Sequence, residues 1–285
     1  MNLKFEQIGK TFVALVSDID LRNQIDGEQQ SKIEAGLGQY GVLIFRNQQI
    51  GDDQQQAFIE KFGPPVATTL KELATGHPHF YDIATVDGDG KPIPEDSARG
   101  LYLLANQLWH TDGSQNQPPI RLTALHARVL PPKPPPTEFA DMCAAWDALP
   151  ENRKAGLEGL IVEHSIYWSR EKMGMSIESF SSETRAQRKP VTHPLVRTHP
   201  GTGRKSLYLA SHASHVIGWP IEKGRALIEQ LIEFATQPQF VYSVEWQPHD
   251  LVMWDDRWTM HRSTPYSDPH PRKMRWCAVR ELEAV

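Results

Sequence analysis

The chain has 285 residues, 39% of them apolar and 23% charged, a globular rather than a disordered composition. Its 30 basic and 35 acidic side chains leave a net charge of −5, which argues against nucleic acid as the main partner, because phosphate binding needs a basic face. Cys143 and Cys277 make no disulfide framework, and no apolar run approaches the roughly 20 residues that cross a bilayer, so the expected setting is a reducing cytoplasm with no membrane partner.

The first residues show neither an apolar signal core nor a small-residue cleavage site. The opening forty-odd residues read as strand, strand, helix, strand. Residues 12–16 are a short apolar run; residues 27–40 carry Ile33, Leu37 and Tyr40 at helical spacing; residues 42–45 are apolar throughout, as in a buried strand. Asp52 and Asp53 open a helix expected over 54–62, stopped by Gly63-Pro64-Pro65. Residues 67–100 read as a long irregular segment with one strand near 80–86. From Leu101 onwards short strands should dominate. One covers 121–130 and is broken by the proline cluster at 131–136. Two short helices flank Pro150, strands follow near 160–167, 194–199 and 206–210, and Pro220 precedes a helix over 221–236. Strands near 240–246, 250–254 and 272–280 close the chain. The expectation is a β-rich α+β fold, a barrel or sandwich with helices outside, forming one domain over 1–285, since no repeat or composition shift marks a boundary.

No phosphate loop, dinucleotide fingerprint, zincin motif or nucleophile elbow is present. The informative segment is Asn106-Gln107-Leu108-Trp109-His110-Thr111-Asp112-Gly113-Ser114. On a strand, His110 and Asp112 would face the same side and could share one ion. A distal His261 follows Asp250-Leu251-Val252-Met253-Trp254-Asp255. Two His and one carboxylate make a facial triad that leaves positions open on ferrous iron for O₂ and a co-substrate. An H-x-D pair alone is common, and with 12 His a distal partner is nearly guaranteed, so the neighbours have to decide. Arg272 lies eleven residues after His261, and Thr137 follows the proline cluster. An Arg fork with a nearby hydroxyl suits the far carboxylate of a 2-oxo-dicarboxylate.

With these pieces in order, the sequence resembles the taurine dioxygenase/2,4-dichlorophenoxyacetate dioxygenase family of Fe(II)- and 2-oxoglutarate-dependent oxygenases. The matching residues are Asn106 to Ser114, Thr137-Glu138-Phe139-Ala140-Asp141-Met142, Arg197 to Lys205, His212-Ala213-Ser214-His215, Asp250 to Asp255 and His261-Arg262. The resemblance implies a double-stranded β-helix (jelly-roll) core with peripheral helices. It implies His110, Asp112 and His261 as iron ligands and Thr137 and Arg272 as partners of 2-oxoglutarate. The carboxylate at Asp112 sets the chain apart from halogenating relatives. Residues 137–149 and 194–216 look closest to the phenoxyalkanoate-degrading branch. That branch hydroxylates the carbon beside an ether oxygen to give a phenol and an oxo-acid, with succinate and CO₂ from the co-substrate. A taurine- or sulfate-ester-type substrate is the alternative within the class. Relatives are often homo-oligomers.

One departure matters. Many members carry a second Arg fifteen residues after the distal His, assigned to the acid group of the substrate; here that position is Trp276. Arg275 is adjacent and should face the other side of its strand. Lys71 is a candidate replacement, or an aryl group stacks on Trp276. Asn106 is placed to touch substrate. His77 and His79 read as loop histidines, His199, His212 and His215 as structural, Trp109 and Trp254 as hydrophobic walls beside the ligands, and the two cysteines as buried thiols. Two rival classes remain: a non-catalytic β-barrel binding protein, and a zinc hydrolase using His77 and His79.

Overall fold

The computed structural model describes residues 3–67, 77–266 and 269–282. The first elements are β1 (Lys4–Gln7), β2 (Ala14–Ser17), α1 (Gly27–Tyr40) and β3 (Val42–Phe45). α2 (Asp52–Ile59), a 3-10 turn, β4 (Tyr81–Ala84), α3 (Ala98–Ala105) and β5 (Ile120–Val129) follow. The middle of the chain holds β6 (Thr137–Asp141), α4 (Met142–Asp147), α5 (Glu151–Leu157), β7 (Ile161–His164), α6 (Ile166–Glu171), α7 (Ser182–Gln187), β8 (Val191–Pro194), β9 (Val196–Thr198) and β10 (Lys205–Leu207). The chain closes with β11 (Ala213–Val216), α8 (Ile221–Ala235), β12 (Val241–Val244), β13 (Leu251–Asp255), β14 (Thr259–Ser263) and β15 (Lys273–Arg280).

Local chemistry explains the early boundaries. Asp26 caps α1 by accepting the Gln29 backbone N–H at 2.8 Å, while the Gln29 side chain accepts the Asp26 N–H at 3.0 Å. Gly41 ends the helix at φ 67°, and a Cβ there would sit 2.8 Å from the Trp258 ring, so the turn into β3 needs glycine.

The architecture is mixed α/β and sheet-rich. A seven-stranded sheet runs β1-β2-β3-β13-β5-β15-β4, and a three-stranded sheet runs β12-β6-β14. The continuous apolar runs of β3 and β13 are buried on both faces. Leu43, Phe45, Leu251 and Met253 pack towards Ile33, Leu37 and Phe58 of α1 and α2. Val42, Ile44, Val252 and Trp254 pack the other way, with Phe139 and Val244 of the smaller sheet and with Trp246 just beyond β12. A third cluster joins Ala140 and Met260 to Trp146, Ile228 and Leu231, covering the outer face of the smaller sheet with α4 and α8. The site therefore lies between two sheets that are each backed by helices.

The structure corrects several boundaries. Residues 98–105 form a helix, not strand, because the Ser97 hydroxyl caps it through the Gly100 N–H at 3.0 Å. The strand expected over 160–167 stops at His164, where Ser165 caps α6. β6, β11 and β14 were not legible as separate strands, because their apolar alternation is short and their partners are distant in sequence.

Candidate active site

β14 places His261 opposite Phe139 of β6. His110 is not on a strand but in a single bridge with His261, each N–H donating to the carbonyl of the other at 2.9 and 2.8 Å. Asp112 lies in the following turn, which corrects the expected same-face strand geometry. That turn passes through Gly113 at φ 63°, where a Cβ would meet Ile120 at 2.5 Å. The Nε2 atoms of His110 and His261 lie 3.6 and 3.9 Å from the two Asp112 oxygens. The three residues offer ligand atoms all within 4.8 Å of one another, the one such cluster among the described residues. Two nitrogens and one carboxylate at this spacing fit Fe(II) with coordination positions left over.

Neighbours fix each ligand. His110 Nδ1 faces the Leu108 carbonyl at 2.7 Å, so that nitrogen carries the proton and Nε2 keeps its lone pair. Burial first, then the His110 ring, hold the His261 imidazolium well below the usual histidine range. Asp112 Oδ2 accepts the Trp276 indole N–H at 3.0 Å and the Thr123 hydroxyl at 3.2 Å, leaving Oδ1 turned towards His110. Behind it, Asp256 Oδ1 accepts the Asp112 backbone N–H at 3.0 Å and the Trp254 indole N–H at 3.1 Å. Burial and the Asp112 charge raise the Asp256 carboxyl well above the usual carboxylate range. A protonated Asp256 can donate to Thr123 Oγ1, 2.7 Å away, and Thr123 then donates to Asp112.

Arg272 and Thr137 line the same cavity as the triad. Arg272 is 6% exposed, its Nε has no partner among the described residues, and burial lowers its guanidinium to about 10. An enclosed cation with an unused donor is a site for a carboxylate. The Thr137 hydroxyl accepts the Trp246 indole N–H at 3.0 Å, so its own proton is available to a ligand. Tyr81, Tyr102, Asn106, Leu125, Trp254 and Trp276 complete much of the wall.

The other candidates separate. Trp276 stacks on Tyr81, with ring centroids 4.3 Å apart, opposite each other on β15 and β4. Arg275 faces the other side, towards Asp82 at 3.1 Å and Asp52 at 3.4 Å. Lys71 lies outside the described residues. Trp254 borders the site, 4.7 Å from the His261 ring, but Trp109 packs under Arg262 and belongs to the α4–α8 core. His77 and His79 are not part of the metal cluster; His79 faces the Val66 carbonyl and His77 packs on Phe80. His199 bonds Asp255 and Thr202, His212 bonds Ser169, and His215 bonds Ser214, all structural contacts. Cys143 and Cys277 are buried free thiols, each raised to about 12 by burial. Sequence reasoning did not find Tyr81, Tyr102, Thr123 or Asp256. The signal for Asp256 was present as a second acid beside Asp255; the others depend on sheet register.

Comparison with known proteins gives concordant results. The family model for taurine catabolism dioxygenase TauD, TfdA family matches residues 4–278. The chain is 42% identical over 268 residues, 93% of each protein, to an alpha-ketoglutarate-dependent 2,4-dichlorophenoxyacetate dioxygenase of Cupriavidus pinatubonensis. It is 32% identical over 270 residues, 93% of this chain and 90% of the relative, to an (S)-phenoxypropionate/alpha-ketoglutarate-dioxygenase of Sphingobium herbicidovorans. Among solved structures, AAD-2 in complex with Mn(II) and N-oxalylglycine superposes with a TM-score of 0.91 at 41% identity, covering 99% of this chain and 98% of that one.

Proposed function

The chain belongs to the taurine catabolism dioxygenase TauD, TfdA family, and from that membership we propose that it is an Fe(II)- and 2-oxoglutarate-dependent dioxygenase acting on an aryloxyalkanoate. The observation that carries the reading is the convergence on one cavity of His110, Asp112 and His261 with the buried guanidinium of Arg272. The same membership supports reading the two facing sheets as a double-stranded β-helix, and the whole chain as one domain. A small-molecule substrate, a cytoplasmic setting and a homo-oligomeric state belong to the same proposal, with no nucleic acid or membrane partner. No described helix is long and apolar enough to cross a membrane.

His110 Nε2, His261 Nε2 and Asp112 Oδ1 would hold the iron, with Trp276 and Thr123 fixing the carboxylate so that Oδ1 faces the metal. Arg272 and the Thr137 hydroxyl would receive the far carboxylate of 2-oxoglutarate. When bound together with 2-oxoglutarate and O₂, iron would supply the oxidant for hydroxylating a C–H bond, with succinate and CO₂ as co-products. Tyr81, Tyr102, Leu125 and Trp254 form a largely aromatic wall that excludes water and seats an aryl ring. Asn106, also in the wall, is placed to orient the ether side of the substrate. Hydroxylation beside the ether oxygen gives a hemiacetal. Phenoxyacetate would split in this way into phenol and glyoxylate, and no side chain has to act as general base. The two-histidine, one-carboxylate donor set and the buried Arg272 speak against a non-catalytic binding barrel. His77 and His79 gather no third ligand among the described residues for a zinc hydrolase.

The test is anaerobic addition of Fe(II) and 2-oxoglutarate to metal-free protein, following the visible charge-transfer band of the chelate. Oxygen is then admitted with phenoxyacetate, taurine or an alkyl sulfate. Succinate formed in step with phenol supports the aryloxyalkanoate reading. Succinate coupled only to taurine or the sulfate ester replaces the substrate, and the absence of any band rejects the site.

A further inference from the structure

Among the described residues Arg272 is the one arginine that lines the cavity. Trp276 also lines it and turns its N–H towards Asp112. Arg275 is committed to Asp82 and Asp52, and Arg272 is assigned to the co-substrate. A carboxylate-bearing substrate therefore needs a cation from another element.

Arg170 on α6 packs over the ring of Tyr102, which borders the cavity. Only 9% of Arg170 is exposed, and its guanidinium carbon sits 5.1 Å from the centre of the Tyr102 ring. Among the described residues the ionisable groups that act on it are Tyr102, Arg188 and Tyr81. Among the described residues its guanidinium makes no ion pair. Burial, the largest cause, lowers its guanidinium below the usual arginine range, partly offset by Tyr102 and Tyr81. Tyr102 borders the cavity, and its hydroxyl lies 3.2 Å from that of Tyr81, which stacks on Trp276. Two hydroxyls sharing one hydrogen bond leave one proton free for a ligand. His212 Nδ1 lies 2.9 Å from the hydroxyl of Ser169, the residue before Arg170, and the Ser211 N–H donates to the Trp109 carbonyl at 2.9 Å, which ties α6 to the segment that carries His110.

Resting on the aryloxyalkanoate reading above, we propose that Arg170, together with the Tyr81–Tyr102 hydroxyl pair, anchors the substrate carboxylate. It would take the role that the family resemblance assigns to an arginine at position 276. In an aryloxyacetate the carboxylate is bonded directly to the carbon to be hydroxylated, so an anchor on the Tyr102 wall fixes that carbon and leaves the aryl ring among the aromatic residues. A buried cation with no ion pair among the described residues costs stability, and substrate binding is what would retain it.

The experiment compares phenoxyacetate with neutral phenoxyacetamide in wild type, Arg170→Gln, Arg170→Lys and Tyr102→Phe. The expected result for Arg170→Gln is a fall of about 30-fold in the phenoxyacetate/phenoxyacetamide ratio of kcat/KM, carried by KM, the size expected for one charge-assisted contact. Arg170→Lys should recover part of the ratio, and the melting temperature of Arg170→Gln should equal or exceed that of wild type. Equal losses on both compounds overturn the anchor, because a structural role does not distinguish a carboxylate from an amide. If Arg170→Gln fails to fold, Tyr102→Phe decides: an unchanged ratio rejects the proposal, and a ratio lowered about 5-fold or more supports it. Wild type that couples 2-oxoglutarate consumption to neither compound rejects the substrate reading and the anchor with it. Wild type that turns over phenoxyacetate beside an unaffected Arg170→Gln rejects the anchor alone.

Discussion

The indole N–H of Trp276 donates to Asp112 Oδ2 at 3.0 Å, so the residue at the expected substrate position serves the proposed metal ligand. The Trp276–Tyr81 stack holds the indole in place. Trp276→Phe keeps the stack and removes the donor. Outer partners of metal ligands are worth about 10–100-fold in metal affinity, and a loss of that size is expected here. Titration of metal-free protein with Fe(II) or Mn(II) measures it; affinity within twofold of wild type would show that the contact does not orient the ligand.

Arg272 should control the co-substrate rather than the metal. Its enclosed guanidinium has an Nε without a partner among the described residues and lines the same cavity as Thr137. Arg272→Gln should weaken 2-oxoglutarate by about 2–4 kcal/mol, roughly 30- to 1000-fold. Anaerobic titration of the chelate band reads the affinity, while Fe(II) binding measured without 2-oxoglutarate should change little.

The turn after Asp112 should tolerate no side chain. Gly113→Ala adds a Cβ 2.5 Å from Ile120 at a left-handed φ of 63°. Gly90, at φ 79° with no atom within 4 Å of a built Cβ, is the control for backbone strain alone. Gly113→Ala should be the more destabilising by about 1–3 kcal/mol in urea unfolding. Equal losses in the two variants would remove the packing argument.

Acid should weaken the metal-free fold through histidines outside the site. Burial lowers His126 to about 4 and His164 to about 3. His126 Nε2 faces the Gln48 carbonyl at 2.7 Å, its Nδ1 has no partner, and neither ring nitrogen of His164 has one among the described residues. Both folded values lie below the unfolded value near 6.5, so the unfolded chain binds more protons as pH falls through that range. Stability is full above about pH 6.5 and should fall by about 1.4 kcal/mol per pH unit for each such group on the way to pH 4. Urea unfolding at pH 7, 6, 5 and 4.5 measures the slope. His164→Phe should reduce it by about one proton; an unaltered slope would mean that His164 is protonated within the fold.

Much of the fold and of the site was legible from local sequence. The apolar runs at 42–45 and 251–254 specify strands buried on both faces, because any strand of that composition must cover both sides. The spacing of Ile33, Leu37 and Tyr40 marks α1, and the proline cluster ends β5. His110, Asp112, Thr137, His261 and Arg272, which the family resemblance proposed as one set, line one cavity. The helix at 98–105 was missed, because Leu101, Leu103 and Leu104 satisfy strand and helix patterns alike and the Ser97 cap decides between them. The roles of Trp276, Tyr81, Thr123 and Asp256 belong to tertiary structure alone. Cross-strand register brings Trp276 opposite Tyr81 and Leu125, and Asp256 reaches Asp112 across a separation of 144 residues. No local periodicity encodes such pairings, because a one-residue slip of a strand would exchange every inward side chain for an outward one. The sequence determined which chemical groups the chain owns and their order; the packing of two sheets decided which of them face one another.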